Sequence, residues 1–266
     1  MTKTDTLPRY EVEAQNLSRQ SENRIHDDQV ARQFGFSGGL VPGVEVYAYA
    51  CHVPVEIWGR EWLERGSIEC RFAKPVYDGH AVTVSAKPEG DAFAIRVESN
   101  GVLCANATAA RIEQVSAPAL ASYPIRPLPV ERPPADEVSL APGLLLRTAE
   151  RDMTPEDADW YLDGVRETDP VYRAERIVHP GRILRLCNTA LMDNVVLGPW
   201  IHVGSKVQNV SAARIGDTLS VRARVAANYE KKGHRFVDLD ALVIANDDRA
   251  VAHVLHTAIY RLRPPD

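Results

Sequence analysis

Apolar and polar residues follow two periods along this chain, one helical and one strand-like. An almost entirely apolar stretch after Pro42-Gly43 predicts a buried helix of about a dozen residues, which Pro54 kinks or ends. Alternating stretches after it predict strands over residues 67–73, 81–88, 92–99 and 102–112. The Asn100-Gly101 pair between the last two strands is typical of a two-residue hairpin turn.

The same succession of elements recurs in the second half of the chain. There the pattern predicts a helix over residues 182–195 and strands over 204–211, 218–228, 235–245 and 250–263. Pro42-Gly43 and Pro180-Gly181 are 138 residues apart, as are Gly66-Ser67 and Gly204-Ser205. Anchors in the same order at the same spacing indicate an internal duplication.

A proline-rich segment separates the two halves. Residues 116–143 contain seven of the chain's 18 prolines, which cannot continue a helix or donate to a strand ladder. We therefore predict one unit over residues 1–115, an extended linker over 116–143 and a second unit over 144–266. A buried helix followed by long antiparallel strands predicts an α+β fold in each unit, with a sheet wrapped around the helix.

Composition and charge exclude several classes of protein. Lys and Arg number 31 against 36 Asp and Glu, so the net charge of −5 argues against general nucleic-acid binding. We see neither an apolar run long enough for a membrane span nor a signal peptide, and we expect a cytoplasmic protein. The four cysteines form no CxxC motif, so we expect reduced core thiols and no metal site.

The segment SENRIHDDQVARQFGFSGGLVPG, residues 21–43, is the candidate for chemistry. It contains a polar start, a short helix, a glycine-rich loop and the beginning of the buried helix. His26 is a suitable base near pH 7, and Asn23 precedes it by three residues. The amides at the start of the buried helix are suited to a carbonyl oxygen that gains negative charge.

This segment resembles the hydratase signature of the MaoC-like (R)-specific 2-enoyl-CoA hydratases. That signature reads Gly-Asp-x-Asn-Pro-aliphatic-His-x-Asp, then a small residue, Gly-Phe and an apolar run that ends in Gly. The positions that match are Asn23, Ile25, His26, Asp28, Ala31, Gly35, Phe36, Leu40, Val41 and Gly43. The resemblance implies a hot-dog fold, and the duplication extends this expectation to a double hot-dog protein of two tandem units.

The resemblance also implies an activity, the reversible hydration of a 2-enoyl thioester at its 2,3-bond. His26 would move the proton and Asn23 would position the water or the substrate hydroxyl. The residues expected to bind the substrate are Gly43, Val44, Gly39 and Arg24. The substrate would be an acyl thioester of coenzyme A or a carrier protein, and no metal or redox cofactor is expected.

The chain departs from the signature at the position of the catalytic aspartate. Five residues before His26, where the family has Asp, this chain has Ser21, which is a poor substitute for a carboxylate base. Three hypotheses follow. Glu22 swings in as the carboxylate, or His26 acts alone while Ser21 and Asn23 position the water or hydroxyl, or the site no longer hydrates enoyl thioesters.

The second half has no copy of the signature, since the position equivalent to His26 is Gly164. There, Thr154 is predicted to cap a helix that Pro155 opens. The second half is thus expected to be structural or to shape the substrate tunnel. His253 and His256, three apart on a predicted strand, should face opposite sides and cannot share a metal.

Two alternative functions remain open from the sequence. One is a hot-dog acyl-CoA thioesterase that uses the same carbonyl-polarising helix, and the other is a non-catalytic or repurposed hot-dog protein of specialised metabolism. Because two hot-dog units in one chain already imitate a dimer, both a monomer and a homodimer are consistent with the sequence.

Overall fold

A computed structural model describes residues 9–263, in which each half places a long helix against an antiparallel sheet. The first half comprises β1 (Arg9–Glu13), a 3-10 turn (Arg24–His26), α1 (Asp28–Gln33), α2 (Gly43–Trp58), α3 (Arg60–Arg65), β2 (Gly66–Phe72), β3 (Ala81–Glu89), β4 (Ala92–Ser99) and β5 (Val102–Arg111). The predicted α+β fold is confirmed.

The second half repeats this plan with additional short elements. It comprises β6 (Leu145–Arg147), β7 (Arg151–Asp152), α4 (Pro155–Gly164), α5 (Val171–Glu175), α6 (Pro180–Met192), β8 (Ile201–Asn209), β9 (Thr218–Lys231), β10 (His234–Ala245) and β11 (Arg249–Arg261). As predicted, the Thr154 side chain caps α4, where it accepts a hydrogen bond from the backbone amide of Asp157. None of the helices within residues 9–263 is both long and apolar enough to cross a membrane.

One antiparallel sheet runs through both halves in the order β1-β3-β4-β5-β2-β8-β11-β10-β9-β6, and β7 pairs with β9. Strands β2 and β8 join the halves, with Ser67 opposite Gln208 and Cys70 opposite Ser205. Ser205 and Gln208 lie 138 residues after Ser67 and Cys70, which is the spacing of the predicted duplication. The register therefore relates the halves by an approximate two-fold axis between β2 and β8.

The two long helices pack against each other inside the sheet, and the core continues from one half to the other. Helix α2 is buried from Val44 to Val55, in agreement with its nearly continuous apolar sequence. It runs through Pro54 to Trp58, so Pro54 does not end the helix, one of the two effects predicted for it. Proline removes only one amide donor from a helix, and later amides still bond, as in the 2.6 Å bond from Gly59 N to Val55 O.

The segment between β5 and β6 packs along the second half and contains one 3-10 turn, Leu120–Ser122. The Arg132 guanidinium donates to the Met192 carbonyl at 2.6 Å, and the amide of Ala135 donates to Val196 O at 2.9 Å. Leu140 is fully buried in the core. The segment is thus held to the core, while the exact limits of the two units stay a prediction.

Candidate functional site

A cavity of about 260 Å³ lies where the start of α2 meets β8, so both halves contribute to its wall. Most of its lining is apolar, with Phe36, Val46, Phe72 and Trp200 among the larger side chains. The polar side chains in the wall are Asn23, His26, Lys74, Asn188, His202 and His234. An apolar pocket with a few convergent polar groups is the usual form of a small-molecule site.

The His26 imidazole is held in one tautomer. Its Nδ1 atom is 2.7 Å from the carbonyl oxygen of Leu40, to which it donates a hydrogen bond. Its Nε2 atom is 3.2 Å from Nδ2 of Asn23, and an amide nitrogen can only donate. The Nε2 atom therefore carries a lone pair.

Asn23 is fixed by a residue of the other half. Its Oδ1 atom accepts from the amide of Trp200 at 3.1 Å, while its Nδ2 atom donates to the Trp200 carbonyl at 2.9 Å. A peptide group that offers both a donor and an acceptor allows only one orientation of the side-chain amide. The tautomer of His26 thus depends on a contact that crosses between the two halves.

The pKa of His26 is lowered to about 4, mainly by burial; the hydrogen bond to Leu40 opposes this shift, and the positive charge of Arg185 adds to it. The imidazole is therefore neutral at pH 7. A neutral imidazole in an apolar cavity, whose lone pair accepts only from the Asn23 amide, can take a proton from a bound water or hydroxyl that takes the place of that amide.

Five of the eight residues predicted for the site lie outside the cavity wall, and Ser21, Glu22 and Arg24 are three of them. The Glu22 carboxylate is largely exposed and pairs with Arg132 at 3.0 Å, and exposed Arg24 pairs with Asp27 at 3.3 Å. The Ser21 hydroxyl donates to the Asn23 carbonyl at 3.3 Å. The Glu22 carboxylate is therefore not beside His26. Ser21 stabilises the turn through its hydrogen bond to Asn23.

The predicted substrate-binding residues divide in the same way. Gly43 lines the cavity at the first turn of α2, which has no side-chain cap, while Val44 is buried behind the wall. Gly39 packs beneath His26, because a Cβ atom there would lie 2.2 Å from the His26 carbonyl oxygen. Its amide donates to Oδ1 of Asp28 at 2.7 Å. Gly39 therefore supports the backbone of His26 and does not line the cavity.

A cluster from the second half was missed by the sequence analysis. The Oγ atom of Ser205 lies 2.8 Å from Nε2 of His202 and 2.9 Å from Nδ1 of His256, and the two imidazoles stack at 4.2 Å. Residues three apart on a regular strand face opposite sides. An irregularity in β8 puts Gly204 and His202 opposite the consecutive residues Thr257 and Ala258, which brings His202 and Ser205 together.

The other site predictions can be tested in the same region. His253 and His256 do face opposite sides, since His253 bonds to Asp240 while His256 is buried against Ser205. Within residues 9–263, no group of three or more His, Cys, Asp or Glu side chains is arranged to hold a metal ion. The cysteines at 51, 70, 104 and 187 are all buried with free thiols, as predicted.

No protein-family model matches the sequence, and no curated protein matches it either. Solved structures do match over nearly the whole chain. A conserved hypothetical protein from Mycobacterium tuberculosis, described as having a double hot-dog fold, aligns with TM-score 0.64 and 17% identity over 95% of this chain and 96% of that chain.

Two further structures carry the names of enzymes. A MaoC domain protein from Chloroflexus aurantiacus, named as a dehydratase, has TM-score 0.62 and 11% identity over 96% of this chain and 95% of its own. A protein from Lactobacillus plantarum, named as an oleoyl thioesterase, has TM-score 0.54 and 11% identity over the full length of both chains. These likenesses establish the fold: the chain is a double hot-dog, as predicted.

Proposed function

We propose that this protein is a hydratase or dehydratase of 2-enoyl and 3-hydroxyacyl thioesters, with His26 as its acid–base residue. The observation that carries the proposal is the neutral His26 imidazole, whose Nε2 lone pair is held in an apolar cavity beside the uncapped start of α2. The fold neighbour named as a MaoC domain dehydratase supports the same reaction class.

The hydration step needs one group that both accepts and donates a proton. His26 Nε2 takes a proton from water as the water oxygen bonds to C3 of the enoyl group. The electron pair of the 2,3-double bond moves towards the thioester carbonyl, whose oxygen gains negative charge beside the Gly43 amide. The proton on Nε2 then passes to C2. Dehydration follows the same path in reverse.

Asn23 positions the water or the substrate hydroxyl in this scheme. Its side chain is anchored on the Trp200 backbone and already donates to Nε2 of His26, so an oxygen bound there lies next to the same donor. The other ionisable groups of the wall are His202, His234 and Lys74. Of these four groups, only His26 directs its lone pair at Asn23, the other polar residue of the motif in the wall.

The thioester would be carried by coenzyme A or a carrier protein, and the reaction needs no metal or redox cofactor. Lys74 is exposed and lines the cavity, which suits a phosphate on the carrier. The free, buried cysteines support a reducing compartment and hence cytoplasmic action. We further propose that one chain is functional as a pseudo-dimer, since β8 completes the wall that His26 begins.

The test is turnover of short, medium and aryl 2-enoyl-CoAs, followed by loss of the conjugated thioester absorbance and by release of free thiol. We expect hydration without thiol release, and a loss of about 100-fold or more in kcat for His26→Ala. His253→Ala, a histidine outside the cavity, is the matched control and should keep the wild-type rate. Glu22→Gln should also keep that rate, because its carboxylate pairs with Arg132 at the surface.

Other outcomes would overturn the proposal. Thiol release without hydration would make the protein a thioesterase, the activity named for its Lactobacillus plantarum neighbour. Silence in both channels across the panel would leave a binding protein. Hydration that survives His26→Ala would assign the proton transfer to another residue.

A further inference from the structure

The wall of the cavity contributed by the second half contains a buried hydrogen-bonded chain that the proposed mechanism does not use. His202, Ser205 and His256 are each about 95% or more buried, and Ser205 Oγ bridges the two imidazoles. His202 lines the cavity, whereas His256 lies behind it. His202 Nδ1 and His256 Nε2 are both buried atoms, and among the residues that the structure describes neither has a hydrogen-bond partner.

The hydrogen bonds among His202, Ser205 and His256 limit where their protons can lie. Burial lowers the pKa of His256 to about 3 and that of His202 well below its usual value, so both rings are neutral and carry one N–H each. The Ser205 hydroxyl has one proton and two acceptor positions. If it accepted from both rings, its own proton would have no acceptor among the described residues, because Oγ bonds only to the two imidazoles. If it donates to one ring and accepts from the other, one ring N–H is left over, either on Nδ1 of His202 or on Nε2 of His256.

The difference in burial decides where this N–H lies. A buried N–H without an acceptor is costlier than a bare lone pair, and native structures avoid it more strictly. Only the His202 ring borders a cavity in which an acceptor can bind. The favoured arrangement has His256 Nδ1–H donating to Ser205, the Ser205 hydroxyl donating to His202 Nε2, and His202 presenting Nδ1–H.

The position of this N–H relates it to the start of α2. A Cβ atom placed on Gly43 would lie 2.9 Å from His202 Nδ1, so the imidazole nitrogen and the first residue of the helix are immediate neighbours. The first turn of α2 has no side-chain cap. An acceptor atom bound at the Gly43 backbone would therefore lie close to the His202 ring.

We propose that His202 Nδ1–H is a hydrogen-bond donor to the thioester carbonyl oxygen beside Gly43, and that Ser205 and His256 are positioning residues that fix its tautomer. This inference rests on the proposed thioester substrate. It makes the second half a contributor to the chemistry, where the sequence indicated a structural or substrate-shaping role. Since the donor is neutral, it stabilises the developing negative charge on the oxygen without giving up its proton.

The first experiment measures the tautomer and ligand contact independently of turnover. Histidine 15N spectra are recorded for the wild-type protein, with and without butanoyl-CoA, a saturated thioester that cannot be hydrated. We expect the Nδ1–H form of His202 in the free protein and a downfield shift of that proton when butanoyl-CoA binds. Ser205→Ala should give a mixture of His202 tautomers, whereas His256→Asn, which keeps a donor near Ser205, should retain the Nδ1–H form.

The second experiment separates the two proposals by kinetics. His202→Leu should lower kcat for 2-enoyl-CoA hydration by about 100- to 1,000-fold, with a smaller change in KM. Ser205→Ala should lower kcat by roughly 10-fold, and His256→Asn should restore most of the rate that His256→Leu loses. His253→Ala is the control, because His253 lies on the same strand as His256 but faces the other side of the sheet.

Each result has a distinct meaning. Absence of hydration together with a shifted His202 proton would refute the proposed function and leave this inference standing. Normal hydration with an unshifted proton, or an Nε2–H tautomer in the wild type, would refute the inference alone. Failure to bind butanoyl-CoA would refute both.

Discussion

At the residue scale, the state of His26 is determined by the backbone of a residue in the other half. Trp200 orients the Asn23 amide, the amide presents its donor to Nε2, and the Leu40 carbonyl holds Nδ1–H. These contacts keep a proton off Nε2 until the substrate supplies one. Ser21, at the position where the MaoC-like signature has aspartate, is therefore compatible with a base that consists of imidazole alone.

The pH dependence of turnover should reflect the lowered pKa of His26. Because the neutral ring is the active form, kcat/KM should fall on the acid side with a pKa near 4 instead of near 6.5. Asn23→Asp would put a carboxylate beside Nε2 and favour the protonated ring. In that variant we expect the acid limb to move up by at least one pH unit, with a lower rate at pH 7.

The measurement is the pH profile of kcat/KM for a 2-enoyl-CoA, together with NMR titration of the His26 ring. Ser21→Ala serves as a neutral substitution in the same turn and should leave the position of the acid limb unchanged. A wild-type limb near pH 6.5, or no shift in Asn23→Asp, would contradict the assignment of His26 as the base.

The sequence predicted part of this site because a contiguous segment builds it. Asn23, His26 and Gly43 all line the cavity, and they lie within a single stretch of the chain. Spacing alone could not give the direction of the Glu22 side chain, which depends on Arg132 more than a hundred residues away. Spacing could not predict that His202 faces the cavity either, because the irregularity in β8 interrupts the alternation of inward and outward side chains on which a strand prediction relies.

At the element scale, the contact between α2 and α6 contains a buried ion pair. Glu45 of α2 is fully buried and bonds to Arg185 of α6, whose guanidinium also donates to Ser18 Oγ at 3.2 Å and lies 5.7 Å from the Trp160 ring. Burial raises the pKa of Glu45, while the charge of Arg185 lowers it. Such a pair is costly to break from one side, because the remaining charge stays buried.

Arg185→Met should therefore lower the free energy of unfolding by about 3–5 kcal/mol, measured by urea denaturation at pH 7. The double variant Glu45→Gln with Arg185→Met should recover much of this loss, because no buried charge remains. Arg60→Met breaks an exposed pair with Glu64 and should cost less than about 1 kcal/mol. Equal losses for Arg185→Met and Arg60→Met would show that the buried pair contributes no more than a surface one.

Long elements were predicted more accurately than short ones. Strand β4 has its predicted bounds, and β3 and β5 differ by one residue at one end, because long alternation leaves little freedom for the register. Strands β6 and β7, of three and two residues, contain too few positions for a period to appear. They form only because β9 offers an edge with which they can pair.

At the scale of the whole molecule, the β2–β8 pairing joins the halves into one sheet, and the apolar core is continuous between them. The halves should therefore unfold together, in a single transition. Several buried ionisable groups on both sides of this junction make the stability of the molecule depend on pH.

The sign of this dependence follows from each group. Burial lowers the pKa of His26, His202 and His256, so below pH 6.5 the unfolded chain binds protons that the folded one does not. Although burial alone would raise the pKa of Glu167, the neighbouring imidazoles of His179 and His52 lower it, and its contribution is lost as the pH falls through the acid range. Burial alone would lower the pKa of His52, but Glu167 raises it, so its smaller opposing contribution is lost as the pH rises.

His52 affects the stability only above about pH 6.5, whereas the three histidines affect it below, so we expect stability to fall steadily from about pH 6.5 to pH 4.5. Each buried neutral histidine costs about 1.4 kcal/mol per pH unit below its unfolded pKa, until its folded pKa is reached. Urea midpoints at half-unit steps of pH measure this slope. His256→Asn should reduce it by roughly a third, whereas His253→Asn, at a half-exposed position, should not.

Hydrogen exchange with peptide resolution tests the cooperativity under the same conditions. At every pH, peptides from β3 to β5 and from β9 to β11 should lose protection at the same urea concentration. Strands β2 and β8 pair with each other, so unfolding of either half removes the partner strand of the other half. Two separate transitions, or a midpoint independent of pH, would mean that the buried histidines and the shared sheet do not control stability. A single transition that moves to lower urea with acid would link the protonation of the site histidines to the folding of both halves.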